Sequence, residues 1–156
     1  MMGSSLVYPV FAFILVVISL ILIPRERYRF LLPVVIISVL AHAIVLYLTI
    51  NVVKAWQFAQ HEPFSILDIP IFISISWGPS FALFLWALPE KLPRWAHHIY
   101  IAVFALIGVF IDMAFQSLGL RPHSEWYSAW MWFFPLYFLY WLSYNLYQKR
   151  SNLEIF

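Results

Sequence analysis

The 156-residue chain contains no cysteine. This absence excludes disulfide bonds, thiolate metal sites, iron–sulfur clusters and thiol nucleophiles. Glycine is scarce as well: the chain has four, and they form neither a phosphate-binding glycine loop nor a Gly-x-Ser-x-Gly turn. We therefore expect neither thiol chemistry nor chemistry driven by soluble nucleotides.

Charge is the second scarce property. Charged residues make up 10% of the chain, whereas a soluble globular domain has about 25%. Hydrophobic residues make up 64%, and the mean hydropathy is +0.86. Because so few charged residues cannot cover a water-facing surface, we expect most of the protein surface to face the lipid bilayer. The net charge of +2 is not gathered in a basic tail, so a nucleic-acid partner is not expected.

Five continuous apolar segments follow one another along the chain. Each is long enough to cross a hydrocarbon core of ~30 Å as a helix. A helix is expected because lipid cannot satisfy the backbone polar groups of an open chain. The sequence thus predicts an all-α integral membrane bundle of five transmembrane helices, forming one domain over residues 1–156. The predicted spans are 6–23, 30–51, 70–88, 99–120 and 126–147.

The basic residues are distributed unevenly between the connections. With five crossings, one side of the membrane collects seven Lys and Arg residues and the other side two. The positive-inside rule then places the N-terminus outside and the C-terminus in the cytoplasm. Segment 6–23 is not read as a signal peptide, because no basic residue precedes it and a basic cluster follows it.

Small residues recur at helical spacing in two of the predicted helices. Ser74, Gly78 and Ala82 share a face of the third helix, and Gly108 lies on the polar face of the fourth. Small residues allow helices to approach closely in lipid. We therefore expect helix packing at these positions, with the second, third and fourth helices forming the interior. Kinks are expected at Pro33, Pro79 and Pro135.

Asp112 is the most informative residue, because a carboxylate in the middle of a membrane costs at least ~3 kcal/mol. It should face the bundle interior and have a partner. His42 lies at a similar predicted depth, and Gln116 is one turn further along. Two interpretations of this intramembrane polar site stay open. It is either a proton relay or an ion- or ligand-binding site, or it is a structural hydrogen bond that fixes helix packing.

Histidine and acidic residues also gather in the predicted outer connections. The weak metal-ligand candidates are His61, Glu62, Asp68, His123 and Glu125. They lack the spacing that places two imidazoles on one helical face. A solvated loop surface is therefore the preferred interpretation, and no metal or other cofactor is expected.

Three short motifs in residues 70–147 resemble a known family. They are Leu-Pro-Glu-Lys at 88–91, Asp112 followed by Gly-Leu at 119–120, and Trp-Tyr-Ser-x-Trp at 126–130. In these features the chain resembles an uncharacterised family of small multi-pass membrane proteins of endospore-forming Gram-positive bacteria. The resemblance implies a location in the bacterial plasma membrane and carries no activity with it.

Three classes of function follow as hypotheses. The first is a non-enzymatic protein that acts through interaction, as an accessory subunit, assembly factor or signalling component. Its partners would be the bilayer and other membrane chains or further copies of itself. The second is a small proton-coupled transporter or channel using Asp112 and His42. The third is a membrane-embedded enzyme acting on a lipid or isoprenoid. No catalytic constellation is found in the sequence, which favours the first.

Overall fold

The computed structural model describes residues 6–59, 65–67, 69–89 and 93–153, without the side chains of residues 152 and 153. The described residues form five α-helices, so the chain is all-α as predicted. The helices are α1 (Val7–Leu22), α2 (Arg25–Tyr47), α3 (Ile71–Trp86), α4 (Arg94–Ser117) and α5 (Phe133–Leu153). A π turn (Leu48–Val52) extends α2, and a 3₁₀ turn (Ala129–Trp132) precedes α5. Strands β1 (Ser65–Ile66) and β2 (Ile69–Pro70) form an antiparallel hairpin before α3.

Two of these helices start earlier than predicted. Helices α2 and α4 begin at Arg25 and Arg94, directly after Pro24 and Pro93. Each proline is the N-cap residue, with an extended ψ, and its missing N–H would have no partner inside the helix. The apolar pattern marks only the part of each helix that suits lipid. It therefore does not predict the charged first turns of these two helices.

Two helical stretches among the described residues are long and apolar enough to be candidate membrane spans. They are Arg25–Val52 and α4. Helices α1 and α3 are apolar but shorter, with 16 residues each. A 16-residue helix is about 24 Å long.

The helices pack in an order that differs from their order along the chain. Helix α1 packs on α3, α3 on α2, α2 on α5, and α5 on α4. The expectation that the second, third and fourth helices form the interior is therefore wrong for α4, which packs mainly along α5. The reason lies in α5, whose face with Leu136, Leu139 and Tyr140 is fully buried and takes the central place.

The small residues lie at two different helix contacts. Gly108 faces α5 so closely that a Cβ atom there would lie 2.5 Å from Leu136 Cδ1. Gly78 lies beside α2, where an added Cβ would be 3.9 Å from the nearest side-chain atoms. Ala82 is buried and Ser74 is half-buried on the same helix.

The prolines fall at positions of different kinds. Pro33 and Pro79 lie inside α2 and α3. Pro135 is the third residue of α5, in the first turn, where the helix needs no amide hydrogen. A kink at Pro135 is therefore not expected from its observed place.

The connections after α2 and α4 are joined to each other by backbone hydrogen bonds. The amide of Gln57 donates to the carbonyl of Pro122 (3.1 Å), and the amide of Ser124 donates to that of Ala55 (2.8 Å). These bonds form a cover over the end of the bundle where α1 begins and α4 ends.

Helix α1 is fastened to the same cover by one tyrosine. The hydroxyl of Tyr8 lies 2.8 Å from the carbonyl oxygen of Ala59 and 2.7 Å from that of Leu120, and it donates its hydrogen to this pair. Three separate parts of the chain therefore meet above the last turns of α4.

Candidate functional site

Helix α4 ends in a turn that reverses the chain. Gly119 has φ +68°, its amide donates to the carbonyl of Gln116, and the amide of Leu120 donates to that of Phe115, both at 2.9 Å. This pair of bonds is the Schellman motif, and the two positions whose hydrophobic contact usually accompanies it, Leu120 and Phe115, are both buried. Because the turn folds the chain back, Arg121 lies over the last turns of α4.

The reversal brings a cation to Asp112. Nη1 of Arg121 lies 2.5 Å from Oδ1 of Asp112, and Nε2 of His123 lies 3.4 Å from Oδ2. The side chains of Asp112 and Arg121 are 1% and 7% exposed. The pair is therefore a buried ion pair, close to the end of α4 rather than at its centre.

Aromatic rings surround the guanidinium group. The Cζ atom of Arg121 lies 3.7 Å from the ring centre of Trp56, and 5.2 and 5.3 Å from those of Phe58 and Trp132. Trp56 is held in place by a backbone bridge to His123. A cation stacked on buried rings gains attraction from the ring quadrupoles, which offsets part of its lost hydration.

Burial shifts the pKa of both basic groups that follow the Schellman turn. It lowers the pKa of Arg121 to about 10, although the Asp112 carboxylate opposes that shift. Arg121 therefore stays charged at neutral pH. Burial also lowers the pKa of His123 below its ordinary value of 6.5, with Asp112 opposing and Arg121 reinforcing the change. At neutral pH the imidazole of His123 is uncharged.

The predicted trio of Asp112, His42 and Gln116 does not come together. His42 is fully buried and stacks on Trp77, with ring centres 4.0 Å apart. Neither of its ring nitrogens has a hydrogen-bond partner among the described residues, so it does not pair with Asp112. Gln116 is exposed on the outside of α4.

The weak metal candidates are not brought together either, as far as the structure describes them. His61, Glu62 and Asp68 lie outside the described residues. His123 lies beside Asp112, and Glu125 is exposed. No group of three or more possible metal ligands occurs in the part of the chain that the structure describes.

A cleft of about 210 Å³ extends from the ion pair between the helices. Its lining comes from α1, α3, α4 and Tyr140 of α5, together with Phe58, Arg121 and Trp132 from the connections. Ile107 at its edge is 47% exposed. The lining is mostly apolar, and seven of its seventeen residues are aromatic. They are Phe11, Phe58, Trp77, Phe104, Phe115, Trp132 and Tyr140.

The few polar groups of the cleft lie at defined places. Asp112 and Arg121 line the cleft together with Ser80 and Tyr140, whose hydroxyl groups are 3.0 Å apart. Ser76 lines it as well, and its hydroxyl donates to the carbonyl of Ile73. Nε and Nη2 of Arg121 have no hydrogen-bond partner among the described residues. A buried donor without an acceptor is costly. This arrangement can therefore bind a molecule that brings an oxygen acceptor on an apolar body.

Sequence reasoning missed Arg121 as the partner of Asp112, because it counted Arg121 only as a charge of the outer connection. The signal was present: Gly119 and Leu120 are typical of a Schellman turn, and Arg121 comes next. Comparison of the chain with models of protein families, with curated proteins and with solved structures finds no match. The resemblance of residues 70–147 to a bacterial membrane family stays a prediction.

Proposed function

We propose that this chain is a bacterial plasma-membrane protein with five spans, an outer N-terminus and a cytoplasmic C-terminus. We further propose that it acts by binding, without catalysis. Its cleft would hold the polar end of one lipid-like molecule that enters from the outer leaflet. The observation that carries this proposal is Arg121, a buried cation in the wall of an apolar cleft, whose Nε and Nη2 have no hydrogen-bond partner among the described residues.

The membrane part of the proposal is supported by the surface of the bundle. Large apolar side chains such as Ile21, Leu40, Phe110 and Phe134 are exposed on different helices. So many exposed large apolar side chains favour a surface that lipid or protein covers. The uneven distribution of basic residues supports the orientation.

The binding part is supported by the composition of the cleft. Ligand sites are mostly apolar concave surfaces with a small number of placed polar groups. The cleft combines aromatic walls with the Asp112–Arg121 pair and the Ser80–Tyr140 hydroxyls. Ile107 at its edge is exposed on α4, which gives a tail a way out into the hydrocarbon of the bilayer.

The test is native mass spectrometry of the protein extracted in mild detergent. The wild type should carry one lipid-like molecule per chain. Ile107→Trp, which fills the edge of the cleft, should lose it. The matched control is Val103→Trp, because Val103 lies one turn away on α4, is equally exposed at 47%, and does not line the cleft. A wild type without bound molecules, or equal retention in both variants, would contradict the proposal.

A second candidate function is that of an accessory subunit. Phe134, Phe138 and Trp141 are exposed on one side of α5, and aromatic residues are enriched in protein interfaces. A stoichiometric partner chain that co-purifies with the wild type but not with a Phe134→Ala, Phe138→Ala variant would support it. Purified wild type free of other chains would count against it.

The remaining two hypotheses have less support from the geometry. Proton transport through Asp112 and His42 needs the two groups to communicate, but Asp112 is engaged by Arg121 and His42 stacks on Trp77. Catalysis on a lipid or isoprenoid stays a prediction.

A further inference from the structure

We propose that the cleft selects a neutral lipid whose head is a flat ring bearing carbonyl oxygens, the chemistry of an isoprenoid quinone. This inference rests on the proposed function, because it names the class of molecule that the same cleft would hold. It is carried by three features of the described residues: the charge balance of the cleft, its free hydrogen-bond donors, and its walls.

The charge balance disfavours an ionic ligand. The guanidinium of Arg121 already has the carboxylate of Asp112 as its counter-charge at 2.5 Å. A carboxylate or phosphate beside Arg121 would bring a second negative charge close to Asp112, in surroundings with little water to screen it. A cationic head would meet the same difficulty with Arg121. A neutral head adds no charge to a site that is already balanced.

The free donors favour a carbonyl oxygen. Nε and Nη2 of Arg121 lack partners among the described residues, and a guanidinium can donate but cannot accept. A carbonyl oxygen has two lone pairs and can accept from both groups. Of the hydroxyls of Ser80 and Tyr140, one donates to the other, which leaves one hydrogen for a second ligand oxygen. A ring with two carbonyl groups would offer one acceptor to Arg121 and one to the Ser80–Tyr140 pair.

The walls and the size of the cleft favour a ring with a tail. Seven aromatic side chains line it, and flat conjugated rings gain from offset or edge-to-face contact with such side chains. A volume of about 210 Å³ is below the ~300–1,000 Å³ of pockets that enclose drug-sized molecules. The cleft therefore has room for a ring and the first part of its chain, and the rest would leave past Ile107 into the membrane.

The experiment measures binding to the full chain in phosphatidylcholine nanodiscs, with empty nanodiscs as the background. The probes are a naphthoquinone with a short isoprenoid tail, the fatty acid palmitate, and a neutral isoprenoid hydrocarbon without oxygen. The quinone should bind saturably, with one molecule per chain and at least about tenfold more tightly than either other probe. Equal or tighter binding of palmitate, or quinone retention equal to that of empty nanodiscs, would overturn the inference.

Two variants test the roles of the charges. Arg121→Lys keeps a cation opposite Asp112 but removes the forked donors, so quinone binding should weaken by about tenfold. Asp112→Asn leaves Arg121 without its counter-charge, so the preference should shift from the quinone to palmitate. If Asp112→Asn does not fold, Arg121→Lys carries the test, with an unchanged unfolding midpoint as the sign that the fold is intact.

Failure of this inference is distinguishable from failure of the proposed function. Suppose that Ile107→Trp abolishes binding of every probe but Arg121→Lys binds the quinone as well as the wild type does. The cleft then binds lipids without distinguishing their head groups. The ring-and-carbonyl inference would then be wrong while the binding function stands. If Ile107→Trp binds all probes like the wild type, both are wrong.

Discussion

The buried ion pair between Asp112 and Arg121 illustrates how one residue depends on another for its place in the fold. Taking two charges out of water is expensive, and their mutual attraction repays much of that cost only when the geometry is good. Here the guanidinium also stacks on Trp56. The pair is therefore tolerated as a unit, whereas either member alone would be a buried charge without a partner.

Removing one member of the pair should be more damaging than removing both. We expect Arg121→Met to lower the free energy of unfolding by about 3–5 kcal/mol, because it leaves the Asp112 carboxylate unpaired. The double variant with Asp112→Leu should recover a large part of that loss. The measurement is a double-mutant cycle from reversible unfolding in mixed micelles. A coupling energy close to zero would contradict the assigned pairing.

A second double-mutant cycle tests whether Asp112 pairs with His42, the partner expected from the sequence. Asp112→Leu combined with His42→Phe should show additive losses, since His42 makes its close contact with Trp77. Gln116→Ala is the control at an exposed position of the same helix, and its effect should stay within about 0.5 kcal/mol.

Because His123 is buried, the free energy of unfolding should decrease as the pH falls. Burial lowers its pKa in the folded state, while the unfolded chain keeps a value close to 6.5. As the pH falls through about 6.5, the unfolded state therefore takes up the proton first, and the folded state loses stability. The loss should grow until the pH falls below the folded pKa, and then level off.

The measurement is the difference in unfolding free energy between the wild type and His123→Gln from pH 8 to pH 5. Taking the difference cancels the other histidines, which are present in both proteins. The wild type should lose more stability than the variant as the solution becomes acidic. Parallel curves for the two proteins would show that His123 does not titrate differently on folding.

At the scale of helices and turns, the close contact of α4 with α5 sets the shape of the cleft wall. Gly108 allows this contact because a Cβ atom there would lie 2.5 Å from Leu136 Cδ1, and Leu136 is fully buried. This close contact of α4 with α5 affects the site, because Gly108 lines the cleft and lies four residues before Asp112 in α4.

A methyl group at Gly108 should therefore be unfavourable, although alanine is the better helix former. We expect Gly108→Ala to destabilise the protein by about 1–3 kcal/mol, because Leu136 has to leave its rotamer in a packed core. Gly78→Ala is the matched control: its Cβ would find ordinary contacts at 3.9 Å, so the change should be neutral or slightly stabilising. The readout is the unfolding midpoint of the two variants in one detergent. Equal midpoints would contradict the contact.

The comparison of sequence and structure separates local signals from non-local ones. The apolar segments predicted five helices because lipid-compatible length is a local property, and α1 and α3 match their predicted spans to within two residues at each end. The neighbours of α4 were not predictable in this way, because the face that α5 buries depends on the whole bundle. Helix α5 itself starts later than its predicted span, since a 3₁₀ turn takes up residues 129–132.

The site shows the same division between local and non-local information. Asp112 was recognised because a carboxylate in an apolar run is unusual on its own. Its partner Arg121 is positioned by the turn after α4, which the apolar pattern does not show. The similar predicted depths of Asp112 and His42 in their helices favoured His42 instead. Trp56 could not be foreseen as a neighbour of Arg121, because 64 residues separate them and the cover of backbone hydrogen bonds brings them together.

At the scale of the whole molecule, the proposed orientation can be tested directly because the chain has no cysteine. Single cysteines placed at Ser128 and Ala87 are exposed and lie at opposite ends of the bundle. In intact cells, Ser128→Cys should react with a membrane-impermeant thiol reagent, and Ala87→Cys should react only after permeabilisation. Labelling of both positions from the same side would contradict the five-span topology.

The Schellman turn at Gly119 also has a consequence for biosynthesis in that topology. Asp112 is synthesised nine residues before Arg121, so the nascent α4 reaches the translocon with an acid and no counter-charge. A chain truncated after Leu120 should insert α4 poorly, and a chain truncated further on, which includes Arg121, should insert it because the arginine can fold back. Completion of this helix in the bilayer would thus wait for a residue outside it.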